Sequence, residues 1–137
     1  MRLAVVACGV VLVSVATVLQ AGDWPSFRGP NGNGVASDEK TPTTWNRKQN
    51  VKWSTALPRP GNGSPIVVAG CVFVASAEDV EGRRRSLYCL DRQRGVVKWV
   101  CTVDIGNTLP THQTNPYGGS TPVSDGARVV VWHASAG

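Results

Sequence analysis

Apolar and polar residues alternate along much of the chain, in short runs separated by turn-forming residues. Residues 50–56, Asn-Val-Lys-Trp-Ser-Thr-Ala, show the period of two that is typical of a half-buried strand. Four further apolar runs predict strands at 64–68, 71–75, 87–91 and 96–102. Pro65 stands at the start of its run, where a missing backbone N–H is tolerated. Because the connections are short, the four runs predict one antiparallel meander.

Glycine, proline and polar residues mark the turns between these runs. Fifteen Gly and nine Pro in 137 residues are more than a typical chain contains, which disfavours a helical bundle and favours many short strands. Residues 58–63 and 92–95 break the chain, and the polar residues 78–85 predict a loop. A hydrophobic fraction of 42% argues against a disordered chain.

The first 21 residues have the pattern of a secretory signal peptide. Arg2 precedes an uncharged apolar run at 3–19, and the run ends at small and polar residues. We expect cleavage after Ala21; cleavage after Ala16 and an uncleaved N-terminal anchor are the alternatives. The protein is therefore expected to be exported, to a periplasm or the extracellular space. It would meet a membrane only through this segment, if the segment is not removed.

Charge, cysteine and histidine content exclude several functions. The net charge of +5 is spread along the chain, whereas nucleic-acid binding requires a clustered basic face. Cys71, Cys89 and Cys101 follow the signal segment without a Cys-x-x-Cys, so at most one bridge can form within the chain. We interpret them as small apolar strand residues. Because His112 and His133 lack neighbouring ligands at metal-binding spacing, no metal site is predicted.

Two strand patterns recur further along the chain. Trp53 and Trp99 each lie in an apparent strand, 46 residues apart. The run Ser-Pro-Ile at 64–66 is echoed 57 residues later by Thr-Pro-Val at 121–123, and a Val-Val-Val run follows at 129–131. A period of roughly 40–50 residues with four strands per unit is typical of β-propeller blades. One four-stranded sheet cannot bury both faces, so it must stack on neighbours.

Residues 89–99, Cys-Leu-Asp-Arg-Gln-Arg-Gly-Val-Val-Lys-Trp, carry a resemblance to a known family. They resemble the tryptophan-docking pattern A-x-D-x-x-x-G-x-x-x-W of PQQ-like (quinoprotein alcohol dehydrogenase-like) β-propeller repeats. Asp91, Gly95 and Trp99 match the pattern, and Cys89 takes the place of the small Ala. These four residues are therefore predicted to form a structural docking motif.

Three other segments extend the resemblance over nearly all of the chain after residue 22. Residues 24–35, which begin Trp-Pro-Ser-Phe-Arg-Gly-Pro, resemble the opening of secreted PQQ-like propellers. Residues 50–53 resemble the outer strand before a first full blade, and residues 115–126 resemble a blade start.

The resemblance implies an all-β fold built from four-stranded antiparallel blades of a PQQ-like β-propeller. Its divisions would be the signal peptide at 1–21, a loop-rich opening segment at 22–49, and propeller repeats at 50–137 with one full blade and the next truncated. Since propellers close with typically four to eight blades, the ring would be incomplete. We expect a piece of a longer propeller that aggregates or self-associates when alone.

Each residue of the docking motif has a physical role in this interpretation. Gly95 would supply the positive φ of a tight turn, and Asp91 would accept the backbone N–H groups of that turn. Trp99 would lie flat between two blades, and Cys89 is small because the stacked indole needs room. Asp91 is therefore interpreted as a turn former and not as a catalytic acid.

The resemblance implies two possible functions, because the superfamily contains both quinoprotein dehydrogenases and non-catalytic propellers. The dehydrogenases bind pyrroloquinoline quinone (PQQ) with calcium, and typically use a catalytic Asp and an adjacent pair of cysteines. This chain has no adjacent cysteines, and its acidic residues lie mainly in loops without calcium-loop spacing. We expect a non-catalytic binding or scaffold module whose partners are other blades or proteins, with no catalytic residue and no cofactor. The N-terminal part of a PQQ-dependent dehydrogenase is the alternative.

The remaining conspicuous residues have structural interpretations. The basic run at 83–85 is predicted to be solvated, as such runs at loop edges usually are. Trp132 and His133 are predicted to take part in blade packing.

Overall fold

The computed structural model describes residues 22–36 and 41–133. Within these ranges the protein consists of a four-stranded antiparallel sheet and a two-stranded sheet, without a helix. The predicted all-β class is therefore confirmed. The described ranges accordingly contain no helix that could span a membrane. The predicted signal peptide at 1–21 lies outside them.

The larger sheet is an antiparallel meander in the order β1-β2-β3-β4, as the hydrophobic pattern predicts. Its strands are β1 (Ile66–Val68), β2 (Cys71–Ala77), β3 (Arg84–Asp91) and β4 (Val97–Asp104). Phe73 pairs with Cys89, and Cys89 pairs with Trp99 across the sheet. A register shift between Cys89 and Leu90 brings Leu90 opposite Val97. The shift falls immediately before the turn that joins β3 to β4.

The connection between β2 and β3 is shorter than the predicted loop at 78–85. The Asp79 carboxylate accepts hydrogen bonds from the backbone N–H groups of Arg83 and Arg84, each at 2.9 Å. Glu78 N also donates to Arg84 O at 2.9 Å. These bonds close the loop early, so β3 begins at Arg84 instead of Leu87.

Residues 50–56, predicted as a strand, form no ladder within the described part of the chain. Their side chains still alternate between exposed and half-buried positions. Trp53 Nε1 donates to Arg92 O at 2.9 Å, and Thr55 Oγ1 donates to Gly95 O at 2.6 Å. The period of two therefore reflects side-chain packing on the turn between β3 and β4, and not strand pairing.

One face of the larger sheet, the core face, carries the buried apolar cluster. Its members come from three strands: Ile66, Val68, Phe73, Leu87 and Cys89. A second hairpin, β5 (Val123–Ser124) and β6 (Val129–Val130), lies next to it. Val129 and Val131 pack against the cluster. The core therefore lies between the larger sheet and this hairpin.

The opposite face and the β1 edge are covered by the earlier part of the chain. Ser76 Oγ donates to Arg59 O at 3.1 Å, which places the segment before β1 over this face. Trp24 N donates to Val67 O at 2.7 Å, and Val67 N donates to Trp24 O at 2.9 Å. The opening segment thus adds a single bridge to the outer edge of β1.

The two Pro-containing segments whose patterns recur, at 64–66 and 121–123, lie side by side; they are called the two repeats below. Gly63 N donates to Gly118 O at 3.2 Å, and Ser64 N donates to Thr121 Oγ1 at 2.9 Å. A Cβ atom added to Gly63 would lie less than 3.0 Å from Ser120 O. Only glycine permits this approach of two backbones, so the contact between the repeats depends on Gly63.

Candidate functional site

The turn at residues 91–95, the docking turn, is held by hydrogen bonds within the predicted motif. Asp91 Oδ1 accepts the backbone N–H groups of Gln93 at 3.0 Å and Arg94 at 2.8 Å. Gly95 has a φ of 69° and donates its N–H to Asp91 O at 2.8 Å. The hydrogen bond from Arg94 N, followed by the Arg94 guanidinium and Gln93 N, lowers the pKa of Asp91 against the opposing effect of burial. The carboxylate is thus an ionised turn acceptor.

Trp53 packs directly on this docking turn. A Cβ atom added to Gly95 would lie less than 3.0 Å from the Trp53 ring, so the indole lies against the glycine backbone. The Trp53 indole N–H also donates to the turn at Arg92 O, and the Lys52 ammonium donates to the Gln93 side chain. The sequence predicted no such role for Trp53. The recurrence of Trp after 46 residues, at Trp53 and Trp99, was the sequence feature that could have indicated a packing role for Trp53.

Trp99 lies on the core face of β4, opposite Cys89. Its ring centroid is 5.8 Å from that of Phe73, with an interplanar angle of 52°. Cys89 is buried beneath it, whereas Trp99 itself remains 44% exposed. Docking of Trp99 between two blades therefore stays a prediction.

The three cysteines after the signal segment are free thiols in different environments. Cys71 and Cys89 are neighbours on the core face, and Lys98 Nζ donates to Cys71 Sγ at 3.4 Å. Burial, together with the adjacent Cys71 thiol, raises the pKa of Cys89 to about 11. Such a thiol stays protonated at neutral pH and is a poor nucleophile. Cys101 is exposed on β4.

A second cluster surrounds Arg85, at the start of β3. Arg83 and Arg84 are exposed, but Arg85 is only 5% exposed. Its Nε donates to Gly82 O at 3.0 Å and its Nη1 donates to His133 O at 2.9 Å. The predicted solvation of the basic run is therefore wrong for Arg85. β3 begins at Arg84, and side chains alternate between the two faces of a strand. Arg85 therefore lies on the core face, on the same side as Leu87 and Cys89.

Aromatic and imidazole groups complete this Arg85 cluster. The Arg85 Cζ lies 4.9 Å from the centroid of the Tyr117 ring, a distance at which the cation and the ring attract each other. Burial, and then the Arg85 charge, lower the pKa of His133. Tyr117 also lies over Gly82, where an added Cβ would come within 3.0 Å of the ring. His133 is buried here, whereas Trp132 is 66% exposed.

Neither the docking turn nor the Arg85 cluster is arranged as a metal centre. Within residues 22–36 and 41–133, no group of three or more His, Cys, Asp or Glu side chains is placed to hold a metal ion. The carboxylates at Asp79, Asp91 and Asp125 instead accept backbone N–H groups of their own turns.

The stability of the protein should fall between about pH 10 and pH 12 because Tyr88 ionises. Its hydroxyl donates to Glu78 Oε1 at 2.6 Å. Burial, and then Glu78, raise the pKa of Tyr88 from 10.0 to about 12. The unfolded chain therefore loses this proton first as pH rises, so the stabilisation is present below about pH 10 and is lost as pH approaches about 12.

Tyr88→Phe is the variant that isolates this effect. We expect it to lower the free energy of unfolding by about 1–2 kcal/mol at neutral pH, and to flatten the pH dependence between about 10 and 12. Urea midpoints of both proteins across this range provide the measurement. Two parallel profiles would show that Tyr88 does not carry the alkaline transition.

Comparison of the chain with protein-family models, with curated protein sequences and with solved structures gives no match. The resemblance to PQQ-like propellers therefore rests on the residues quoted from the sequence.

Proposed function

We propose that the chain is a segment of an exported PQQ-like β-propeller and acts as a non-catalytic binding or scaffold module. The observation that carries this proposal is the packing of one repeat on another. Val129 in the second hairpin and Val131 just after it pack against the buried cluster on the core face of the first sheet. Gly63 and Gly118 bring the two repeats into backbone contact. Units that bury their faces on each other are typical of repeat architectures.

The docking turn supports the same proposal. Trp53 precedes the four-stranded sheet in sequence, yet its indole packs on Gly95 and donates to Arg92 O, 39 residues away. The turn thus joins an earlier segment to the sheet. A turn whose ionised carboxylate accepts two backbone N–H groups through one oxygen is held in a fixed shape, which suits this joining role.

Strand β4 provides the surface for a further partner. All eight of its residues are exposed, and they include Trp99, Val100 and Val103. Trp99 lies on the same face as the cluster that the second hairpin covers. An apolar edge strand of this kind favours pairing with another chain. The partner we propose is a further four-stranded sheet of the same repeat, because the core face already receives one repeat hairpin.

Trp99→Ala should reveal this partner through its dependence on protein concentration. In the dilute chain we expect a loss of about 1–2 kcal/mol, because Trp99 packs against Phe73 but remains 44% exposed. Once a second sheet covers β4, the loss should approach about 3–5 kcal/mol, the range for a buried Trp. Urea unfolding at low and high protein concentrations, combined with sedimentation velocity, measures both values.

Val80→Ala is the matched control for Trp99→Ala, since Val80 is an exposed apolar residue in the loop between β2 and β3. It should leave self-association unchanged. If Trp99→Ala costs the same at all protein concentrations and the chain stays monomeric, the scaffold role of β4 is contradicted.

Titration of the chain with PQQ and calcium should give no saturable absorbance change. Saturable binding together with dye-linked alcohol oxidation would instead favour the dehydrogenase.

A further inference from the structure

Arg85 is a buried cation that the described residues do not neutralise. It is 5% exposed, and the ion pair that occurs in the described ranges joins Arg94 to Asp91 on the surface. Burial of a charge without a counter-charge is costly. The carbonyls of Gly82 and His133 and the Tyr117 ring offset part of this cost. None of them carries a negative charge.

The third nitrogen of the Arg85 guanidinium, Nη2, is free to bind a further acceptor. Nε and Nη1 are engaged with Gly82 O and His133 O, and Nη2 has no acceptor among the described residues. No described side-chain nitrogen or oxygen is both fully buried and unpaired, so Nη2 keeps access to solvent. Arg85 lines a pocket of about 280 Å³. The one guanidinium nitrogen of Arg85 without an acceptor among the described residues therefore belongs to a residue that lines this pocket.

The walls of the Arg85 pocket combine apolar surfaces with neutral polar groups. The other lining residues are Leu109, Pro110, Thr111, Asn115, Pro116, Tyr117, Gly119 and Ser120. Arg85 is the one charged side chain in this set. The hydroxyls of Thr111 and Ser120 are directed to no side-chain partner within the described residues, so they can donate to a ligand.

We propose that the Arg85 pocket binds a small monocarboxylate. The carboxylate would accept hydrogen bonds from Arg85 Nη2 and from the hydroxyls of Thr111 and Ser120, while its organic part lies against Leu109 and Tyr117. A single cation matches a single negative charge, and a hydrogen bond between charged groups is stronger than a neutral one. The pocket, at about 280 Å³, is slightly smaller than the usual range of ligand sites, roughly 300–1,000 Å³, which suits a molecule of the size of benzoate. This inference goes beyond the scaffold role and does not depend on it.

Nuclear magnetic resonance of the full chain labelled with nitrogen-15 tests this inference. Titration with benzoate should shift the Arg85 Nε–H resonance and the Tyr117 ring resonances in a saturable manner. Benzamide has nearly the same shape without the charge, and it should bind roughly tenfold more weakly or worse. Inorganic phosphate should also bind more weakly, because one cation does not match its double charge.

Two variants and one control make the result specific. Arg85→Lys should weaken benzoate binding roughly tenfold or more, whereas Arg84→Gln, the exposed neighbour, should leave it unchanged. Thr111→Trp fills the pocket from an exposed wall position and keeps Arg85, so it should abolish binding even if Arg85→Lys does not fold. The proposal is overturned by no response to benzoate, by equal responses to benzoate and benzamide, by tighter binding of phosphate, or by binding that survives Thr111→Trp.

Discussion

Gly95→Ala should lower the free energy of unfolding by about 3–5 kcal/mol. Gly95 has a φ of 69°, a region that costs an L-residue roughly 1–2 kcal/mol. The new methyl group would also lie within 3.0 Å of the Trp53 ring, and forcing extra volume into a packed contact costs roughly 1–3 kcal/mol more. The indole would have to leave the docking turn and lose its hydrogen bond to Arg92 O. Urea unfolding followed by circular dichroism measures the loss.

Gly106→Ala is the matched control for Gly95→Ala. Gly106 has nearly the same φ, 68°, but an added Cβ would meet no atom within 4 Å. It should therefore show only the conformational cost of about 1–2 kcal/mol. In a Trp53→Ala background the excess cost at Gly95 should disappear, as expected for two residues in direct contact. Equal costs at the two glycines would show that Trp53 does not dock on the turn.

The parts of the fold that the sequence predicts are those whose causes are local. The meander followed from the alternation of apolar residues and from the Gly and Pro residues between the runs. The docking turn is equally local, because Asp91 and Gly95 act through bonds that close within five residues. The chemistry of these two residues therefore predicts the turn without knowledge of the rest of the chain.

The Arg85 cluster could not be predicted in this way, because its contacts span long stretches of sequence. Arg85 donates to His133 O, 48 residues away, and lies over the Tyr117 ring. A run of three arginines predicts a solvated loop, but the Asp79 carboxylate closes that loop at Arg84. Arg85 then lies within β3, on the core face of the sheet. Arg85, the arginine of this run that is not solvated, is also the one that lines the pocket.

Long-range contact also explains why residues 50–56 were predicted as a strand. A period of two shows that alternate side chains are buried, but it does not show what buries them. Here Trp53 and Thr55 pack on the docking turn with side-chain hydrogen bonds. The backbone of residues 50–56 forms no strand pairing within the described part of the chain. The pattern therefore predicted burial correctly and pairing incorrectly.

Gly63→Ala should destabilise the contact between the two repeats by about 2–4 kcal/mol. Gly63 does not have a positive φ. At such a position, replacing Gly by Ala normally stabilises the protein by about 0.4–1 kcal/mol. The new methyl group would lie within 3.0 Å of Ser120 O, a backbone atom that cannot rotate away. The hairpin would have to move, with loss of the bond from Gly63 N to Gly118 O. The sign of the effect thus depends on the approach of the two repeats.

Amide hydrogen exchange separates this local effect of Gly63→Ala from a general loss of stability. Amides of β6 should lose protection more than those that join β2 and β3, because the hairpin is held to the larger sheet partly through Gly63 and Ser64. Gly22→Ala is the control, since an added Cβ there meets no atom within 4 Å. It should be neutral or slightly stabilising. If Gly63→Ala behaved like Gly22→Ala, the two repeats would not be in contact, and the proposal that they stack as propeller units would lose its main support.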